Sequence, residues 1–251
     1  MRRDRYALFL MAALLSASSA VDAAQYAWTD WQTSSGQGGF TANGVITTAT
    51  DTVGVVYHNP LSVSFFQNGV SGDLTDYFQN NRSGRNPARS PYTSSIVENI
   101  PTAAEMIALN RAGTQTLTFS KPIANPVFSF VSLNSNGYAF DQDFDLLSFG
   151  DGVVRDGGFW GRGTASKQVV DIGGGVLEYR LVGTGEPHGT LRFRGAFSTV
   201  SWRSLTNENW NGFTVGIEGT AAEIFTPEPS TFAAAGLGAA ALFAIRRRRV
   251  G

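Results

Sequence analysis

The sequence predicts a mainly β fold: an antiparallel β-sandwich of jelly-roll-like character, flanked by an N-terminal signal peptide and a C-terminal transmembrane helix. Three observations predict it. Apolar and polar residues alternate with period two in many short runs, and clusters of Gly, Asn, Asp and Pro separate those runs. No long stretch carries the 3.6-residue period of an amphipathic helix.

The chain begins "MRRDRY", a basic segment, followed by the apolar run Ala7–Leu15 and the small-residue stretch "SASSAVDAA". The apolar core is too short for a stable anchor and has the form of a secretory signal peptide over residues 1–23. Small residues are wanted three and one before the cut. Val21 and Ala23 fit best, which places cleavage between Ala23 and Ala24; Ser18 and Ala20 are the second choice.

Residues 24–225 form one expected domain, long enough to bury a sizeable core. Removing the seven arginines and three acids of the two ends from the 19 bases and 20 acids leaves 12 and 17, a net charge near −5. An acidic domain without basic clusters gives no support for nucleic-acid binding. There is no cysteine, so an exported domain must rest on its packed core alone.

The strands are read in chain order. "TVGVVY" (Thr52–Tyr57) and "TLTFS" (Thr116–Ser120) alternate cleanly. "NPVFSFVSL" (Asn125–Leu133) is apolar on both faces, as a central strand is. "KQVVDI", "LEYRL", "TLRFR", "STVSWRS" and "GFTVGIE" follow, and "TLRFR" sets Leu191 and Phe193 against Arg192 and Arg194. "DIGGGVLEY" reads as a turn between two of these strands. Residues 69–99, centred on "NNRSGRNPARSPYTSS", are polar and turn-rich and read as a long loop. In "PTAAEMIALN", Thr102 and Glu105 have capping-box spacing ahead of Met106, Ile107 and Leu109, which predicts one short helix.

Residues 226–251 form a separate tail: Pro227, Glu228 and Pro229, an apolar run at about 231–245, and Arg246, Arg247, Arg248 and Arg249. Thr226 can cap a helix with Pro227 at its first position. Continued to Arg249, 23 residues span about 34 Å at 1.5 Å each, enough to cross a bilayer core. The arginines stay cytoplasmic, so the Pro-Glu-Pro end faces outward.

These three parts, in this order at the C-terminus, resemble the PEP-CTERM sorting signal, a tail also described as an ice-binding protein C-terminal domain. The resemblance implies an exported protein, anchored in the inner membrane as a precursor. An exosortase-type enzyme would process it on its way to the cell envelope or extracellular matrix of an exopolysaccharide-making bacterium. It implies an address and no activity. Within the domain, "TFSKPIANPVFSFVSLN", "GEPHGTLRFRGAFSTVSW" and "ENWNGFTVGIEG" resemble stretches recurring in one group of PEP-CTERM proteins, which supplies no chemistry. No regular Thr-x-Thr array accompanies the ice-binding description.

Candidate sites are few. Exposed aromatics suit a sugar-binding face because a ring covers the sugar's C–H surface while its edge stays wet. Trp160 in "DGGFWGRG", Trp210 in "NENWNGF" and Tyr138 are the candidates, whereas Trp202 shares an alternating face with Val200 and is expected in the core. Coplanar exposed indoles would favour glycan binding; a cleft with two carboxylates would favour hydrolysis. Asp141, Asp143 and Asp145 alternate in "DQDFD", and a calcium ion would relieve their repulsion, although Leu146 stands where an EF-hand loop needs glycine. His188, near Glu186, is expected at the polar surface, and His58 has no evident partner. Arg82, Arg85 and Arg89 in the long loop could meet an anionic polysaccharide; a solvated loop is the simpler reading. No nucleophile elbow, zinc-protease motif or phosphate loop is present. The expectation is therefore a non-enzymatic matrix or envelope protein, with an exopolysaccharide-binding module as the alternative and a matrix polysaccharide hydrolase third.

Overall fold

The computed structural model describes residues 23–225. The signal-peptide reading and the readings of Pro227, Glu228, Pro229, the apolar run and Arg246–Arg249 fall outside the described residues, apart from the junction at Ala23 and Ala24. Among the described residues no helix is long and apolar enough to cross a membrane.

Among the described residues sixteen strands and one short helix follow one another. They are β1 (Ala27–Trp28), β2 (Asp30–Ser35), β3 (Phe40–Thr47), β4 (Thr52–Asn59), β5 (Phe65–Asn68), β6 (Glu105–Leu109), β7 (Gly113–Ala124) and β8 (Val127–Val131). After these come β9 (Gly137–Phe140), β10 (Phe144–Phe149), β11 (Gly163–Asp171), β12 (Leu177–Gly185), β13 (Gly189–Phe193), β14 (Ala196–Ser204), β15 (Asn211–Ile217), β16 (Gly219–Thr220) and α1 (Ala221–Phe225). All their pairings are antiparallel and fall into two sheets. The seven-stranded sheet runs β10-β13-β8-β15-β6-β5 with β1 beside β15; the nine-stranded sheet runs β11-β12-β9-β14-β7-β4-β3-β2 with β16 beside β7.

The alternating runs explain how the sheets meet. On β7, Leu117 and Phe119 are buried while Thr118 and Ser120 face solvent; on β14, Val200 and Trp202 are buried. These residues join Phe128, Phe130, Leu191, Phe193 and Phe213 of the other sheet in one core. At its centre Phe128 stacks on Phe213, with centroids 4.9 Å apart and planes 6° apart, and meets Trp202 edge-on at 5.2 Å. The far face of β7 carries Thr114, Thr116 and Thr118 in one row, and Thr116 meets Ser201 at 3.2 Å. This is a single Thr-x-Thr row, which the sequence reading passed over.

The seven-stranded sheet is covered on its second face as well. Tyr77, Phe78, Tyr92 and Ile100, from the long segment between β5 and β6, pack on Met106, Ala108 and Val131. Val97 packs with Tyr26, Trp28 and Val127. The segment read as a polar loop is thus irregular but supplies a third layer, its apolar residues turned inward.

That layer overturns the expected helix. Residues 105–109 form β6, buried along its whole length and paired with β5 and β15. Ile107 and Leu109 enter the main core while Met106 and Ala108 face the covering layer. A five-residue strand serves both faces, and its pairing outweighs local helix preference. The Glu105 carboxylate, expected to cap a helix, accepts the Trp31 backbone N–H at 2.8 Å.

Both ends of the domain are tied in. Ala24 forms a parallel bridge with Val97, donating its N–H to the Ile96 carbonyl at 2.8 Å and accepting from the Glu98 N–H at 3.0 Å. At the other end, the Glu223 carboxylate accepts from the Thr50 hydroxyl, from Thr48 at 2.7 Å and from the Thr220 N–H at 2.6 Å.

Candidate functional site

The Gly-rich segment "DGGFWGRG" makes a tight hairpin in which Gly158 and Gly161 pair, putting Phe159 and Trp160 at its tip. Gly158 is required by close approach: a Cβ there would fall inside the His188 ring. His188 is therefore not the surface histidine expected. It is fully buried, its Nδ1 is 3.0 Å from the Tyr92 hydroxyl and accepts the Ser132 N–H at 3.3 Å, and burial pulls its pKa down to about 3. A neutral imidazole that props the hairpin from beneath is its structural role. Gly158→Ala should cost about 1–3 kcal/mol by overpacking against that ring. Chemical denaturation would read this as a lowered midpoint with an unchanged slope.

Two of the three candidate aromatics come together at this tip. Trp160 is 44 % exposed, and its ring centroid lies 6.2 Å from that of the half-buried Trp210. The two indole planes are inclined by 74°, so they do not form a coplanar platform. Tyr77 meets both, near-parallel to Trp160 at 6.3 Å and edge-on to Trp210 at 5.1 Å, and Phe159 and Phe65 close the cluster. Trp160 is the most exposed ring of the cluster. Tyr138 is corrected outright: it is fully buried in the main core, and its hydroxyl bonds to Asn211. Its alternation with Phe140, also buried, was the available signal. Trp202 is in the core, as its register with Val200 required.

Arg82 lies against this tip. Its guanidinium carbon stands 4.4 Å from the Trp160 ring centroid and 4.8 Å from that of Phe159, and its Nε donates to the Phe159 carbonyl at 2.9 Å. Tyr77, Phe159 and Arg82 were not found as members of the cluster by sequence reasoning. Arg82 and Tyr77 lie some eighty residues before Trp160, and only the covering layer brings them together.

Nearby carboxylates belong to a polar network. Glu186 accepts from the Ser132 hydroxyl, and Glu208 accepts from the Asn211 amide. Burial first, and then the Glu186 charge, push the Glu208 pKa up to about 7 against the hydrogen bond from Asn211. A folded-state value above the ordinary carboxyl range means that the contribution of Glu208 to stability is fully present below about 4.5 and is lost as pH rises through about 7. Glu208→Gln should flatten the dependence of the melting temperature on pH between those values, and an unchanged slope would contradict the assignment.

The aspartate trio does not share one strand face. Asp141 and Asp143 precede β10, and only Asp145 lies in it. Asp143 pairs with Lys167, and Asp145 accepts from Arg192 at 3.1 Å and Arg194 at 2.7 Å. The protein's own bases thus relieve the repulsion that favoured calcium. Among the described residues no group of three or more His, Asp or Glu side chains is placed to hold a metal ion. His58 is exposed, with Nδ1 at 3.3 Å from the Thr41 hydroxyl.

Fold and site together define a mainly β domain with an aromatic-cationic surface tip, leading directly into a tail. The model of the PEP-CTERM protein-sorting motif matches residues 225–249. This chain carries that sorting motif, which implies an exported protein, membrane-anchored as a precursor and processed by an exosortase-type enzyme. No curated protein and no solved structure matches the chain.

Proposed function

We propose that this is a non-enzymatic protein of the cell envelope or extracellular matrix, made with a cleaved signal peptide and released from a transmembrane tail by an exosortase-type enzyme. The sorting motif at residues 225–249 carries this reading. The test is expression in the native host with and without its exosortase-type enzyme. The full chain should accumulate in the inner membrane of the deficient strain and give way to a tailless form in the competent one. Identical chain length in both strains would contradict the proposal.

A second reading, a carbohydrate-binding module for exopolysaccharide, is favoured by one observation: Trp160 remains 44 % exposed although four other aromatic residues cluster beside it. Exposed indoles of this kind suit the C–H face of a pyranose. The domain would then act as a matrix adaptor, holding polymer through its surface.

A further inference from the structure

We propose that Trp160 and Arg82 form a subsite for one acidic sugar residue, a uronate or a similarly carboxylated pyranose. This rests on the glycan-binding reading and adds to it the charge of the ligand.

The three arginines of the long loop, alike in sequence, are not alike in structure. Arg85 pairs with Asp76 at 2.8 Å and Arg89 with Asp156 at 2.8 Å. Arg82 has no carboxylate partner among the described residues. Its protein contacts are the Nε bond to the Phe159 carbonyl and the two aromatic rings. No hydrogen bond from its two terminal nitrogens is found among the described residues, which leaves a planar pair of donors suited to a carboxylate, beside an exposed indole.

The backbone presents this arginine in a specific pose. Asn81 and Arg82 have φ of 48° and 60°, the left-handed region that costs a non-glycine residue about 1 kcal/mol or more. The surroundings enforce it. The Asn81 N–H donates to the Gly157 carbonyl at 3.0 Å, so the loop is tied to the hairpin that carries Trp160. Asn80 binds the Asn86 carbonyl at 3.2 Å and Asp156 at 3.1 Å, closing the loop on itself. Here the strained backbone holds the cation over the edge of the cluster, against Phe159 and the exposed Trp160.

The ligand's chemistry follows from where the cation sits. A domain with 12 bases and 17 acids repels a dense polyanion such as nucleic acid or an anionic bilayer. The Arg82 guanidinium, without a carboxylate partner among the described residues and set beside Trp160, suits an isolated carboxylate whose carrier also presents a C–H face to the exposed part of that indole. An acidic glycan provides both within one ring.

The experiment uses the full chain in detergent micelles and affinity electrophoresis in gels containing a largely methyl-esterified polygalacturonate, whose free carboxylates are isolated along the polymer, or its carboxyl-reduced counterpart. Wild type should be retarded by the methyl-esterified polygalacturonate, with retardation weakening as salt rises. Arg82→Gln and Trp160→Ala should each weaken it by about tenfold or more, the range for a lost charge-assisted bond. Arg82→Lys should fall between, because it keeps the charge and loses the planar fork. Arg111→Gln, a change at an exposed site elsewhere, should have no effect. Melting curves of all variants establish that the loop is intact. If both polymers bind equally and Arg82→Gln is neutral, the acidic subsite is wrong while glycan binding stands. If neither polymer binds, both readings fall.

Discussion

Phe128→Ala is expected to destabilise the domain by about 3–5 kcal/mol, the range for deleting a fully buried phenylalanine from a core. Phe128 is fully buried and lies in the central strand β8. It touches both sheets, stacking on Phe213 of its own sheet and meeting Tyr138, Phe140 and Trp202 of the other edge-on at 5.8, 5.7 and 5.2 Å. With no disulfide to constrain the chain, such a loss removes a large share of the 5–15 kcal/mol typical of a domain. Val153→Ala is the control, since Val153 is 76 % exposed and should change stability by no more than about 0.5 kcal/mol. Urea titration of both variants distinguishes the cases. Equal midpoints would mean that the sheets do not share the core described.

Replacing Pro227, Glu228 and Pro229 together with alanine should abolish processing and leave the precursor anchored. Proline fixes φ and lacks a donor, so the two prolines mark sharply where extended chain meets the expected membrane helix. On the proposed topology Glu228 would add a carboxylate on the outer side that a membrane-embedded enzyme can read. The arginines would act on a different quantity. Each would resist transfer across the bilayer, so Arg246–Arg249 would set orientation. Changing all four to serine should weaken retention and topology rather than recognition. Membrane fractionation with an epitope at the mature N-terminus separates the two defects. Normal processing of the triple-alanine chain would reduce the motif to a helix cap.

Much of the main core was legible in the sequence, because period-two alternation is a direct readout of one buried sheet face. "TLTFS", "TLRFR" and "STVSWRS" all turn their apolar residues into it. What could not be read was the third layer. A run such as "EMIAL" is buried on both faces only because residues far along the chain cover it, and nothing within five residues announces that. The same layer buries His188 and brings Arg82 to Trp160. Tyr138 reads in the sequence as an exposed aromatic, yet it lies within β9, whose register places it opposite Leu181 in the core. The sorting motif of the tail, by contrast, was legible, because its signal is linear.

The central claim is that this chain is cut at both ends on its way out of the cell. Intact-mass measurement of the protein recovered from the envelope and medium tests it most directly. The account predicts a species that begins at Ala24, the residue whose N–H already bonds to Ile96, and lacks the apolar and arginine-rich tail. Recovery of Met1–Gly251 uncut, in the cytoplasmic fraction of a host with an active exosortase-type enzyme, would contradict it.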